Sequence, residues 1–202
     1  MTIKSKTFAL LTSLSVLASG CGVAEQGQSP SQVAITSIQA STGGGTLKFT
    51  GTLLSDVCVI PKDKQDCSIF DDFGQVTMNV RLKDPGTPGN TNVPSPLNDV
   101  TFTRYHVEYV RADGRNVPGV DVPYPFDGAA TFTVTAQGGS ATFELVRHVA
   151  KVEAPLAALA KDFAVITTIA NITFYGKDQG GKNVAVTGSI LVSFADFADT
   201  TN

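Results

Sequence analysis

The sequence predicts an all-β fold, an antiparallel sandwich crossed by one short helix. Short runs of alternating apolar and polar residues predict the strands. Breaks rich in Gly, Pro and Asn separate those runs, and no strand–helix–strand alternation interrupts them. Composition agrees: Trp is absent, only 16% of residues are charged, and Thr, Val, Gly and Ala dominate. That usage suits exported strands better than a cytosolic enzyme.

Residues 33–38 (VAITSI) form the first expected strand. Residues 46–54 (TLKFTGTLL) set Leu47, Phe49 and Gly51 against Thr46, Lys48 and Thr50. Residues 75–82 set Val76, Met78, Val80 and Leu82 against Thr77, Asn79 and Arg81, the cleanest alternation in the chain. A loop is expected over 83–99, where Pro85, Pro88, Pro94 and Pro96 remove backbone donors. Residues 101–111 put Tyr105, Val107 and Tyr109 on one face and Arg104, His106 and Glu108 on the other. Residues 131–135 and 141–149 predict a hairpin around Gln137, Gly138 and Gly139, and 164–175 with 183–194 predict a second around residues 178–181. Residues 153–163 break the pattern. Leu156, Leu159, Ala160 and Phe163 recur at helical spacing with Pro155 near the start, which predicts the crossover helix. One turn sequence recurs, at Gly114-Arg115-Asn116-Val117 and Gly181-Lys182-Asn183-Val184, as a shared turn design rather than a duplicated domain.

The N-terminus reads as a targeting segment. Lys4 and Lys6 precede an apolar run over residues 8–17, and small residues Ala18, Ser19 and Gly20 lead directly to Cys21. Ten apolar residues are too few for a bilayer core, which takes about 20 in helix. The segment resembles the lipobox of bacterial lipoproteins, with Ala18 where that family usually carries Leu. The resemblance implies lipidation of the Cys21 thiol, cleavage before it, and a membrane anchor of two or three acyl chains. Gly22 rather than Asp after the cysteine implies the outer membrane. The expected organisation is then a leader over 1–20, a lipidated flexible tether over 21–32, one domain over 33–197 and a disordered tail over 198–202. Fully extended, the stretch after Cys21 reaches about 35 Å.

The strand YHVEYVRADGRNVPGV and the ending ITFYGKDQGGKNVAVTGSILVSF are similar to immunoglobulin-like modules of bacterial surface proteins. That resemblance covers most of residues 33–194, implies a binding or spacing role and names no ligand.

Cys58 and Cys67 remain. An even pair at short spacing in an oxidising compartment reads as a disulfide, and the alternative of a metal site has no further Cys or His nearby. Asp56, Asp63, Asp66, Asp71 and Asp72 surround this loop. Two readings stay open: a solvated acidic loop, favoured by the interleaved Lys62 and Lys64, and a Ca²⁺ site built from hard oxygen ligands.

Catalytic chemistry finds no motif. A Gly-x-Ser-x-Gly elbow, a zinc spacing and a phosphate-cradling loop are all missing, and His106 and His148 fall on the polar faces of expected strands. No catalytic residue, metal ligand or cofactor is therefore assigned. Tyr124 and Phe126, in the proline-rich run Val122–Phe126, form a candidate partner-binding loop, with Phe126 alternatively plugging the end of the domain. Without Lys4 and Lys6 the chain carries 13 basic and 18 acidic residues, a net charge of −5, which argues against nucleic acid as partner. The expected partners are the membrane, through Cys21, and another envelope protein. A surface adhesin or glycan-binding module is the second expectation and a hydrolase of unfamiliar fold the third.

Overall fold

A computed structural model describes residues 29–60 and 66–197. The expected leader, Cys21, most of the expected tether, Lys62, Asp63, Lys64 and the tail 198–202 lie outside the described residues. Ten strands account for most of the rest. They are β1 (Ser31–Ser41), β2 (Thr52–Asp56), β3 (Asp72–Leu82), β4 (Gly86–Thr87), β5 (Asn90–Thr91), β6 (Val100–Val110), β7 (Phe126–Val134), β8 (Gly139–Val146), β9 (Ile166–Asp178) and β10 (Asn183–Ala195). A single helical turn and a half, α1 (His148–Val152), is followed by a 3₁₀ segment at Leu156–Lys161.

The all-β class predicted from the alternation is correct. Two sheets pack against each other: β1-β3-β8, and β2-β10-β9-β6-β7. β4 and β5 form a separate two-residue hairpin inside the long proline loop, which also holds a 3₁₀ turn at Pro96–Asn98, so that loop has more structure than expected. The sheets are antiparallel with one correction, because β2 runs parallel to β10. Thr50 bridges Ala40 of β1, whereas Thr52 onward pairs with β10. The chain leaves one sheet and joins the other at Gly51, which is why the strand expected over 46–54 survives only as Thr52–Asp56.

The first predicted hairpin is also corrected. β7 and β8 are joined by a tight turn with Gly138 at φ 98°, but β7 belongs to the five-stranded sheet and β8 to the three-stranded one. The turn therefore arches between sheets instead of closing a hairpin. The second hairpin forms as predicted, β9 pairing with β10 from Lys177↔Asn183 to Ile166↔Phe194. The crossover helix expected over 153–163 is corrected: it appears only as the 3₁₀ segment Leu156–Lys161, and α1 lies before it, partly on residues expected to end a strand. Pro155 disfavours helical backbone at the preceding residue, so α1 ends at Val152 and only a 3₁₀ segment continues.

The core lies between the sheets. Phe143 of β8 packs on Tyr105 of β6 at 5.1 Å and on Phe174 of β9 at 5.2 Å between ring centroids, and Phe102 stacks on Phe132 at 5.3 Å. Tyr109 donates its hydroxyl to the Leu145 carbonyl at 2.6 Å, tying the two sheets with a buried hydrogen bond. Two glycines make room for rings: a Cβ at Gly74 would meet Phe143 at 2.4 Å, and one at Gly128 would meet Tyr105 at 2.2 Å.

The registers define two ends. Ser31↔Leu82, Val100↔Val134 and Val100↔Asp178 place the entry of the chain beside the 83–99 loop and the β7–β8 and β9–β10 turns. The connecting residues 42–51, 57–60, 66–71, 111–125 and 147–165 gather at the opposite end, to which residues 196 and 197 also return.

Candidate functional site

Exposed apolar side chains concentrate at the end opposite chain entry. Among the described residues, Val93 and Leu97 are the exposed large apolar residues of the entry end, whereas Leu47, Ile60, Val117, Val120, Tyr124, Val149, Val152, Phe163 and Val165 belong to connections of the far end. The sheet register extends this surface. On the outer face of the five-stranded sheet Val110 pairs with Ile169 and Ile169 with Leu191, and Leu191 pairs with Thr52, two residues from Leu54. Ile169, Leu191 and Leu54 are 41%, 43% and 57% exposed, so an apolar row crosses three strands in open solvent and reaches the half-buried Val110 on a fourth. Side chains on one sheet face stand close enough to act as a unit.

The aromatic loop predicted from Tyr124 and Phe126 divides. Tyr124 is 52% exposed. Phe126 is buried at the start of β7, its ring edge-on to Tyr105 at 6.3 Å and the Arg147 guanidinium 4.4 Å above it. As a partner contact Phe126 is corrected: it plugs the end of the core. Its phase on β7 points it inward, and Tyr124 keeps the exposed role alone.

Among the described residues the acidic side chains do not converge on one point, and Asp63 lies outside them. Asp56 Oδ1 accepts the backbone N–H groups of Cys58 and Phe197, at 3.1 and 3.3 Å, and so ties β2 to the returning C-terminal strand. Asp71 accepts the backbone N–H and the ring Nδ1 of His148, the latter at 2.8 Å. Partial burial pushes the Asp71 carboxyl up, but these bonds and one from Glu144 more than offset it and hold the group below its ordinary value. Glu144 moves the opposite way, raised by burial and by sharing a hydrogen bond with the charged Asp71. His148 therefore heads α1 on a carboxylate, which corrects its expected place on a strand. His106 stays on the outer face as predicted, 3.2 Å from Asp127.

Asp72 differs from its neighbour. It is 1% exposed, takes the Ser55 hydroxyl at 2.6 Å and the Gly43 N–H at 3.1 Å, and lies 2.8 Å from the equally buried Lys151 Nζ. Burial raises its carboxyl, against the pull of Lys151, Ser55 and Gly43. No sequence pattern pointed to Lys151, since a lysine ordinarily faces water. Cys58 and Cys67 face one another as predicted, their Cα atoms 5.3 Å apart, within the reach of a disulfide.

A second surface lies on the outer sheet face near chain entry. Thr101, Arg104, Tyr175, Lys177 and Asn183 line a shallow groove of about 460 Å³, with the Arg104 guanidinium 4.1 Å over the Tyr175 ring.

No family model, curated protein or solved structure matches this chain. The chemistry of the surface must speak for itself. Exposed apolar side chains stand at the far end among charged ones such as Arg115, Glu153 and Asp162, whereas the groove offers donors, cations and one covered aromatic ring. Sequence reading missed both surfaces, apart from Tyr124. The apolar row joins residues far apart in sequence, and only the strand register brings them together.

Proposed function

We propose that this chain is a non-catalytic envelope lipoprotein that binds another envelope protein through the end of its domain farthest from the anchor. Lipidation at Cys21 and an outer-membrane location come from the lipobox resemblance. The immunoglobulin-like form of the sandwich is part of the same reading, supported by two packed sheets that share an aromatic core. The observation that carries the proposal is the gathering of exposed apolar side chains opposite the end where the chain enters. A tether entering at Ser29 leaves that end free to reach a partner, and contiguous exposed apolar area marks interaction surfaces. The mature net charge of −5 favours a protein partner over nucleic acid or an anionic lipid face.

The test joins anchor and surface. Cells making the wild type or Cys21→Ala are fractionated, and a photo-crosslinking residue is placed at Leu191 or, as control, at Tyr175. The proposal expects membrane association lost with Cys21 and a single crosslinked envelope protein at position 191. A soluble wild type, or crosslinks at 175 alone, would overturn it. The second reading, a glycan or small-ligand module, is favoured by the polar groove around Arg104 and Tyr175. A glycan array showing binding that Arg104→Ala removes would establish it instead.

A further inference from the structure

We propose that Lys151 and Asp72 become joined by an amide bond in the folded protein, formed between Lys151 Nζ and Asp72 Cγ with loss of one water. The inference is independent of the partner-binding function and rests on the geometry of a single buried site. Both side chains are almost wholly enclosed, at 2% and 1% exposure, and Nζ lies 2.8 Å from Oδ2. An ammonium carries three donors, and Asp72 is the partner the described residues offer it. A buried ion pair gains back its desolvation cost only when further hydrogen bonds satisfy both partners. Among the described residues the carboxylate has two further donors, Ser55 and Gly43, whereas the ammonium has Asp72 alone. Condensation removes both charges and leaves one N–H and one C=O to satisfy.

The surrounding groups supply what the reaction needs. Nζ passes one proton to Asp72, 2.8 Å away, whose carboxyl is raised above its ordinary value by burial and so is disposed to take it. The amine lone pair then attacks Cγ. The Gly43 N–H, 3.1 Å from Oδ1, stabilises charge as it develops on that oxygen. The Ser55 hydroxyl, 2.6 Å from Oδ2, gives its proton to the departing oxygen and takes one from nitrogen. The Cγ–Oδ2 bond breaks, Oδ2 leaves as water, and Oδ1 remains as the amide carbonyl still bonded to Gly43. Atoms and charge balance with no oxidant or co-reactant. Fixed proximity of the two groups replaces an unfavourable encounter in water. The product would staple α1 to the first residue of β3, beneath the apolar far end.

Mass spectrometry of the full chain, isolated from its envelope, reduced, unfolded and cut with trypsin, tests this directly. A joined lysine blocks cleavage after Lys151. The expected product is residues 65–81 linked to 148–161, one water lighter than the two together, in most molecules. Lys151→Arg should abolish that species, and Ser55→Ala should leave a several-fold larger unjoined fraction soon after refolding. Separate 65–81 and 148–151 peptides accounting for nearly all the wild-type chain would overturn the proposal, with no dependence on how any variant folds. A joined species that persists in Lys151→Arg would also overturn it, because the link would then lie elsewhere.

Discussion

Phe174→Ala probes the packing that joins the two sheets. The Phe174 ring is fully buried and meets Phe143 at 5.2 Å, Phe132 at 6.0 Å, Tyr105 at 6.1 Å and Phe102 at 6.3 Å. Removing a buried Phe ring costs about 3–5 kcal/mol through lost transfer energy and the cavity left behind. Four ring partners, each worth roughly 0.5–1.5 kcal/mol beyond buried area, place this site at the upper end of that range. In a domain of this size each kcal/mol lowers the melting temperature by about 2–4 °C. The assay is urea unfolding followed by tyrosine fluorescence, which is clean here because the chain has four Tyr and no Trp. Phe163→Ala is the control, since that ring stands entirely in solvent, and its effect should stay within about 0.5 kcal/mol. A loss below about 1 kcal/mol for Phe174→Ala, or a larger loss at Phe163 than at Phe174, would refute the packing argument.

Three further outcomes follow from other contacts. Gly128→Ala should destabilise by about 1–3 kcal/mol, because the new Cβ would overlap the buried Tyr105 ring; thermal melts that match wild type would contradict this. The double change of Cys58 and Cys67 to Ser should cost about 2–3 kcal/mol for so short a loop, and the difference should vanish when wild type is measured under reducing conditions. Burial raises the Tyr109 phenol far above its ordinary value. Its contribution to stability is thus intact below the unfolded tyrosine value of about 10 and falls as pH rises beyond it. Denaturation midpoints should drop through that alkaline window. In Tyr109→Phe the drop should shrink, with a loss of about 1–3 kcal/mol at neutral pH from the unpaired Leu145 carbonyl.

Most of the strands were legible because their residues alternate with a period of two. β3 and the β9–β10 hairpin show it best, each with a buried face that matches the sequence pattern. Three features were hidden for identifiable reasons. A bulge between Phe102 and Arg104 shifts the phase of β6, so Phe102 and Tyr105 are both buried although odd and even positions should oppose each other. The β7–β8 turn has hairpin chemistry at Gly138, yet turn residues do not specify which sheet the next strand joins. The switch of the chain between sheets at Gly51 likewise depends on long-range pairing. The candidate site was legible only at Tyr124. The apolar row of Val110, Ile169, Leu191 and Leu54 exists through register alone, and the Lys151–Asp72 contact spans residues far apart in the chain.

The measurement that bears most directly on the proposed partner-binding role is a quantitative crosslinked pull-down of the full chain from the cells that make it. Wild type is compared with a variant carrying Leu54→Ser, Ile169→Ser and Leu191→Ser, outward-facing changes that leave the core intact. The account predicts one envelope protein recovered in stoichiometric amount with wild type and lost with the variant. Equal recovery from both, or recovery of this chain alone, would contradict it.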